Sequence, residues 1–183
     1  MDLAALADRL RRVTVAITSD GRGAGAGVVW APELIVTNAH VLRGPRVWVR
    51  GADGRRVDGR VVAGDRAADL ALVRAPGLDL PAATSTGDES LAVGSLLVAL
   101  GHPLGVLGAV TRGIVHAVGA LRPGGRAWIQ ADLKLAPGNS GGPLADAHGR
   151  VVGVNAMIVD GLALAIPVRE VRQFARSAGV AGP

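Results

Sequence analysis

Along most of the chain, apolar and β-branched residues gather in short runs bounded by glycine, proline or aspartate, alternating with polar ones over Val13–Ile17, which is the pattern of short strands joined by tight turns. Only the ends depart from it. Met1 to Arg12 (MDLAALADRLRR) sets leucines and charges at helical spacing and predicts a short helix. Strands are then predicted at Val13–Ile17, Gly23–Trp30, Leu34–Thr37, Val47–Val49, Arg56–Val62 and Leu70–Val73, with Ser19-Asp20-Gly21 and Pro32-Glu33 as turns. Ala75 to Glu89 (APGLDLPAATSTGDE) has two prolines and no period, and reads as a linker between two halves. The second half repeats the style at Ser95–Leu100, Ala109–Val118, Ala127–Ala131, Val151–Val159 and Leu162–Ile166, with loops at Pro123–Gly125 and Ala136–Pro143. From Val168 to Ala178 the period becomes helical, with Val168, Val171 and Phe174 on one face and Gly179 as a stop. Two groups of short strands closed by one helix predict an all-β pair of packed barrels: a first barrel over about 13–80, a second over about 91–168 and a helix over 168–178, all in one domain.

Composition narrows the chemistry. At 183 residues, 49% of them hydrophobic and 19% charged, the chain is globular and large enough to fold without staples. Cysteine is absent, which excludes disulfides, thiolate zinc sites and cysteine nucleophiles. The net charge is +5, and Lys134 is the only lysine among twenty basic residues. The arginines are scattered along the sequence and the only aromatics are Trp30, Trp48, Trp128 and Phe174, so no specific nucleic-acid partner is expected, only weak, salt-sensitive binding. No apolar run is long enough for a membrane span, and the N-terminus lacks the apolar core of a signal peptide. As written the chain therefore reads as cytoplasmic, and as extracytoplasmic only if a leader has been trimmed from it. His102, His116 and His148 show no metal-ligand spacing, and neither metal nor cofactor is expected. Gly21 to Gly27 spaces its glycines G-x-G-x-G-x-G and precedes a strand, unlike a dinucleotide fingerprint.

Nucleophilic catalysis needs a hydroxyl, an imidazole to take its proton and a carboxylate to orient the imidazole. His40 follows a strongly apolar strand in Thr37-Asn38-Ala39-His40-Val41. Asp69 stands at the entrance to another strand in Ala67-Ala68-Asp69-Leu70. Ser140 lies in Pro137-Gly138-Asn139-Ser140-Gly141-Gly142-Pro143, where flanking glycines permit dihedrals that aim the amides of residues 138 and 140 at one spot. Such converging amides are what an oxyanion hole requires.

The strings TNAHVL, ADLALV and PGNSGGPL, in the order His, Asp, Ser, resemble the trypsin-like (chymotrypsin-fold) serine proteases, and more narrowly the HtrA/Deg branch. GAGVVW, ALGHPLG, TRGIVHAVG, IQADLKLAPGNSGGPL, VVGVNAM and LALAIP extend the resemblance over about Val13 to Val168. It implies two packed six-stranded Greek-key barrels with a C-terminal helix. It also implies a triad of His40, Asp69 and Ser140, an oxyanion hole at Gly138, Asn139 and Ser140, and a substrate-pairing segment Asn155-Ala156-Met157. The S1 pocket would be formed by Lys134, six residues before the nucleophile, with Leu135, Ala156, Met157 and Leu162. Those apolar walls imply an aliphatic P1 residue, whereas a lysine pointing inward would select an acidic one. The expected function is a serine endopeptidase acting on unfolded or misfolded polypeptides; the alternative is a non-catalytic, chaperone-like module on the same fold. The chain departs from the branch in having no PDZ domain, no aromatic before Trp30 and His102 where asparagine is usual, so a monomer is expected rather than a trimer.

Overall fold

A computed structural model describes residues 2–19, 22–86 and 91–182. The predicted turn at Asp20-Gly21 and the last residues of the expected linker lie outside these. After helix α1 (Leu3–Arg12), six strands close a first antiparallel barrel: β1 (Thr14–Ser19), β2 (Arg22–Ala31), β3 (Leu34–Thr37), β4 (Arg46–Arg50), β5 (Arg56–Asp65) and β6 (Leu70–Arg74). A second barrel is closed by β7 (Leu96–Gly101), β8 (Ala109–Ala120), β9 (Ala127–Asp132), β10 (Pro143–Asp146), β11 (Val151–Val159) and β12 (Leu162–Pro167), and α2 (Val168–Ser177) follows it. The neighbour order of the first barrel, β1-β2-β3-β6-β5-β4, recurs in the second as β7-β8-β9-β12-β11-β10. This is the two-barrel, chymotrypsin-like architecture that the resemblance implies.

One strand goes beyond the sequence reading. Pro143–Asp146, with Pro143 expected to close a loop and the rest given no element, pairs with β7 and β11. Four residues opening on proline carry no readable alternation, so only their neighbours make them a strand.

Each barrel has its own apolar interior, with Val15, Ile17, Ile35 and Val73 in the first and Leu97, Val115, Ile129 and Leu144 in the second. A third cluster lies between the barrels, where Val28, Trp30 and Leu72 meet Val154, Leu164 and Ile166 under Val168, Val171 and Ala175 of α2. The terminal helix thus caps the seam that holds the cleft in shape. Helix α1, capped by the Asp2 carboxylate accepting from the amides of Ala4 and Ala5, buries Leu6 and Leu10 against Val98 and Leu100 of the second barrel. Leu164 is 1% exposed at the seam. Leu164→Ala is expected to cost about 2–5 kcal/mol, read as a lower denaturant midpoint at unchanged slope.

Candidate active site

His40 sits in a 3-10 turn, Ala39–Val41, immediately after β3. The turn is anchored from behind: buried Thr37 donates its hydroxyl to the Ala26 carbonyl (2.7 Å), and Asn38 donates its side-chain amide to the Asp69 carbonyl (3.0 Å). Asp69 precedes β6 with φ 53°, a left-handed conformation that disfavours side chains by about 1–2 kcal/mol. That backbone aims the carboxylate at the histidine turn. Its Oδ2 lies 2.8 Å and its Oδ1 3.0 Å from His40 Nδ1, and Oδ1 also accepts the His40 backbone N–H at 3.0 Å. The ring is thereby held with a proton on Nδ1, which leaves Nε2 unprotonated and able to accept one. The hydrogen bond to Asp69 raises the His40 pKa above its ordinary 6.5, partial burial opposes the rise, and the carboxylate charge adds to it.

Ser140 comes from the loop between β9 and β10 of the other barrel, yet its carbonyl accepts the Ala26 amide of β2 at 2.8 Å. The backbone of Ser140 is therefore fastened to the barrel that carries His40. Gly141 makes this approach possible. At φ 86° any Cβ there would collide with the Ala26 carbonyl oxygen and the Thr37 hydroxyl. The Ser140 hydroxyl donates to the Ala156 carbonyl at 3.0 Å, and no hydrogen bond joins it to His40 among the described residues.

Upstream in the loop, the Pro137 carbonyl accepts from Leu104 N–H (3.2 Å) and the Gly138 carbonyl from His102 N–H (3.0 Å). In a trans peptide the N–H points opposite to the C=O, so engaging the Pro137 carbonyl turns the Gly138 N–H the other way. The amides of Gly138 and Ser140 donate to no described residue. Asn139 differs. Its N–H donates to the Ala136 carbonyl at 3.0 Å, which corrects its place among the oxyanion donors.

Asn155 also departs from expectation. Its carbonyl accepts Gly141 N–H, its N–H donates to the Gly142 carbonyl, and its side-chain amide donates to the Pro143 carbonyl. It therefore braces the serine loop, and its backbone N–H is not free for substrate. Ala156 falls at a bulge between β11 and β12, and Met157 beside it is exposed. Lys134 is exposed and makes no ion pair with any described residue, while Leu135 and Leu162 are half-buried.

His102, which the sequence leaves without a role, supports the same loop. Its ring is buried, Nδ1 accepts Gly108 N–H at 3.0 Å, and its backbone holds Gly138 from behind. Burial pushes its pKa below 6.5, with the Val15 backbone partly offsetting. A Cβ on Gly138 (φ 107°) would strike the His102 carbonyl, so glycine is required there.

The model of the trypsin-like peptidase domain family matches residues 25–154, which span both histidine and serine loops. The chain belongs to the trypsin-like peptidase family. Within this family it is 37% identical over 154 residues to "Probable periplasmic serine endoprotease DegP-like" of Pseudomonas savastanoi pv. phaseolicola, covering 79% of this chain and 32% of that protein. A protein of the same name from Halomonas elongata is 35% identical over 161 residues, covering 82% of this chain and 34% of its own length. A solved structure of a variant of the HtrA-type protease AlgW with a tripeptide superposes with a TM-score of 0.89 at 30% identity, covering 97% of this chain and 63% of that one. This peptidase chain is thus of HtrA/DegP type and spans about a third of the length of these two curated relatives. Their names put them in the periplasm, which overturns the cytoplasmic reading of the sequence and points outside the cytoplasm. Among the described residues no helix is long and apolar enough to cross a membrane.

Proposed function

We propose that the chain is an extracytoplasmic serine endopeptidase that cleaves unfolded or misfolded polypeptides through an acyl-enzyme intermediate. The observation that carries this reading is the pair of unspent amides at Gly138 and Ser140, beside a histidine that a carboxylate holds in the required tautomer. Ser140 rotates its hydroxyl from the Ala156 carbonyl toward His40 when substrate fills the cleft. Oγ then attacks the scissile carbonyl while His40 Nε2 takes the proton. The tetrahedral oxyanion accepts from Gly138 and Ser140 N–H, each donor contributing about 3–4 kcal/mol in comparable sites. Collapse breaks the C–N bond as the imidazolium returns its proton to the leaving amine, and water repeats the sequence on the acyl-enzyme.

Substrate is read as an added strand along Ala156 and Met157. The P1 side chain is aliphatic, because Leu135, Ala156, Met157 and Leu162 supply apolar walls and the Lys134 ammonium is free to remain in water. Labelling with a fluorophosphonate tests the chemistry: the parent reacts and Ser140→Ala does not. A parent inert with and without added peptide would remove the enzyme reading. A peptide library tests the pocket, and cleavage after Asp or Glu that disappears in Lys134→Ala would replace aliphatic P1 by acidic P1.

A further inference from the structure

The arginines that look scattered in the sequence are gathered by the fold. Strand β4 exposes Arg46, Trp48 and Arg50 on one side while Val47 and Val49 point into the barrel. Strand β5 exposes Arg56, Asp58 and Arg60 on that same outer wall, and β6 adds Arg74. Register then sets like charges side by side. Arg60 stands directly opposite Arg46 on one side and Arg74 on the other, and Arg50 stands opposite Arg56. Directly opposed side chains have Cβ atoms about 5 Å apart, and like charges in that relation are destabilising.

No ion pair among the described residues relieves this wall, and its single acidic residue is Asp58. A shallow depression of about 510 Å³ runs across it, lined by Trp48, Arg56, Arg60, Val62 and Arg74 among others. Trp48 is 40% exposed and Val62 49% exposed within this charged surface. Arg56 lies 3.9 Å over the Trp48 ring. A wall of unpaired guanidinium groups held at a standing electrostatic cost is complementary to a polyanion.

We infer that the outer wall of β4, β5 and β6 is a docking face for an anionic lipid surface, contacted by Arg46, Arg50, Arg56, Arg60 and Arg74 with Trp48 at headgroup depth. The apolar members favour lipid over nucleic acid. Tryptophan partitions to the membrane interface, and Val62 adds apolar area beside it. Single-stranded nucleic acid needs several open aromatic faces for successive bases, whereas this wall has one ring with one face covered by Arg56. The face belongs to the first barrel's outside and contains none of the catalytic residues, so the inference stands apart from the proposed peptidase chemistry.

The test is flotation of the whole chain with phosphatidylcholine vesicles, with and without phosphatidylglycerol, over a salt series. Binding is expected only with phosphatidylglycerol and is expected to weaken as salt rises. Each surface arginine contributes about fivefold to anionic-membrane affinity, so Arg50→Glu/Arg60→Glu is expected to lose at least about thirtyfold. That variant also turns three like-charge oppositions into attractive ones, so its thermal midpoint is expected to hold or rise. Arg112→Glu/Arg122→Glu makes the same charge change on the other barrel and is expected to stay within about threefold of the parent. Independently of any charge variant, vesicles are expected to shift tryptophan emission to the blue in the parent and not in Trp48→Phe, because Trp30 and Trp128 are buried. The inference is overturned by a parent that ignores phosphatidylglycerol, by equal losses in the two arginine pairs, or by a single-stranded oligonucleotide held at a salt concentration where vesicles are not.

Discussion

Ser140→Ala is expected to lower kcat on a peptide substrate by about a millionfold while KM stays within about threefold, the scale of loss when the nucleophile of a triad is removed. Deleting Oγ costs the fold one hydrogen bond, that to the Ala156 carbonyl, while the backbone remains fastened through Ala26. The loss therefore registers in chemistry and not in the thermal midpoint. A residual rate about 10³–10⁴ above the uncatalysed one is expected from the Gly138 and Ser140 amides and from substrate binding, which survive the substitution. Steady-state hydrolysis and thermal unfolding of the same preparation decide it. Retention of a few per cent of parental kcat would mean that another group attacks the carbonyl.

Asp69→Asn is expected to cost about 10⁴ in kcat, and the geometry supplies the cause. Oδ1 of residue 69 accepts the His40 backbone N–H, and the other carboxylate oxygen faces Nδ1. If the asparagine oxygen keeps the backbone bond, its amide NH₂ faces Nδ1 and can pair only with an unprotonated nitrogen. The ring proton then moves to Nε2, and the base facing Ser140 is lost. The backbone is not the reason for the loss, since asparagine tolerates the left-handed φ of 53° as readily as aspartate. The parent's pH profile bears on the same contact. Activity needs neutral His40 and falls as pH drops through its pKa, so the raised pKa places the acid limb of kcat/KM above 6.5. In Asp69→Asn the residual activity should show that limb at lower pH, because the hydrogen bond and the charge that raised the pKa are gone. An unmoved limb would detach it from the His40–Asp69 pair.

Much of this arrangement is legible in the chain itself. Short, nearly unbroken apolar runs over Leu34–Thr37 and Leu70–Arg74 mark the strands that deliver His40 and Asp69, and helical spacing of Val168 and Val171 marks the helix that caps the seam. Gly138 and Gly141 are equally local signals, since they supply the positive φ that the turn around Ser140 needs. Other assignments depend on partners far away in sequence. Asn155 reads as a substrate contact until its backbone is seen joined to Gly141 and Gly142, and Asn139 reads as an oxyanion donor until its amide is seen bound to Ala136. Strand β10 exists because β7 and β11 flank it, and buried His102 gains a role only through Gly138 and Gly108. The arginine wall is the largest such case: positions 46, 60 and 74 have no relation in sequence until strand register sets them in one row. Periodicity and backbone permissiveness are properties of neighbouring residues, so the sequence determined all the strands but β10, the two helices and the residue types of the proposed triad. Hydrogen-bond partnership and cross-strand register are properties of distant ones, and only the closed barrels decided which amides remain free and where the charge collects.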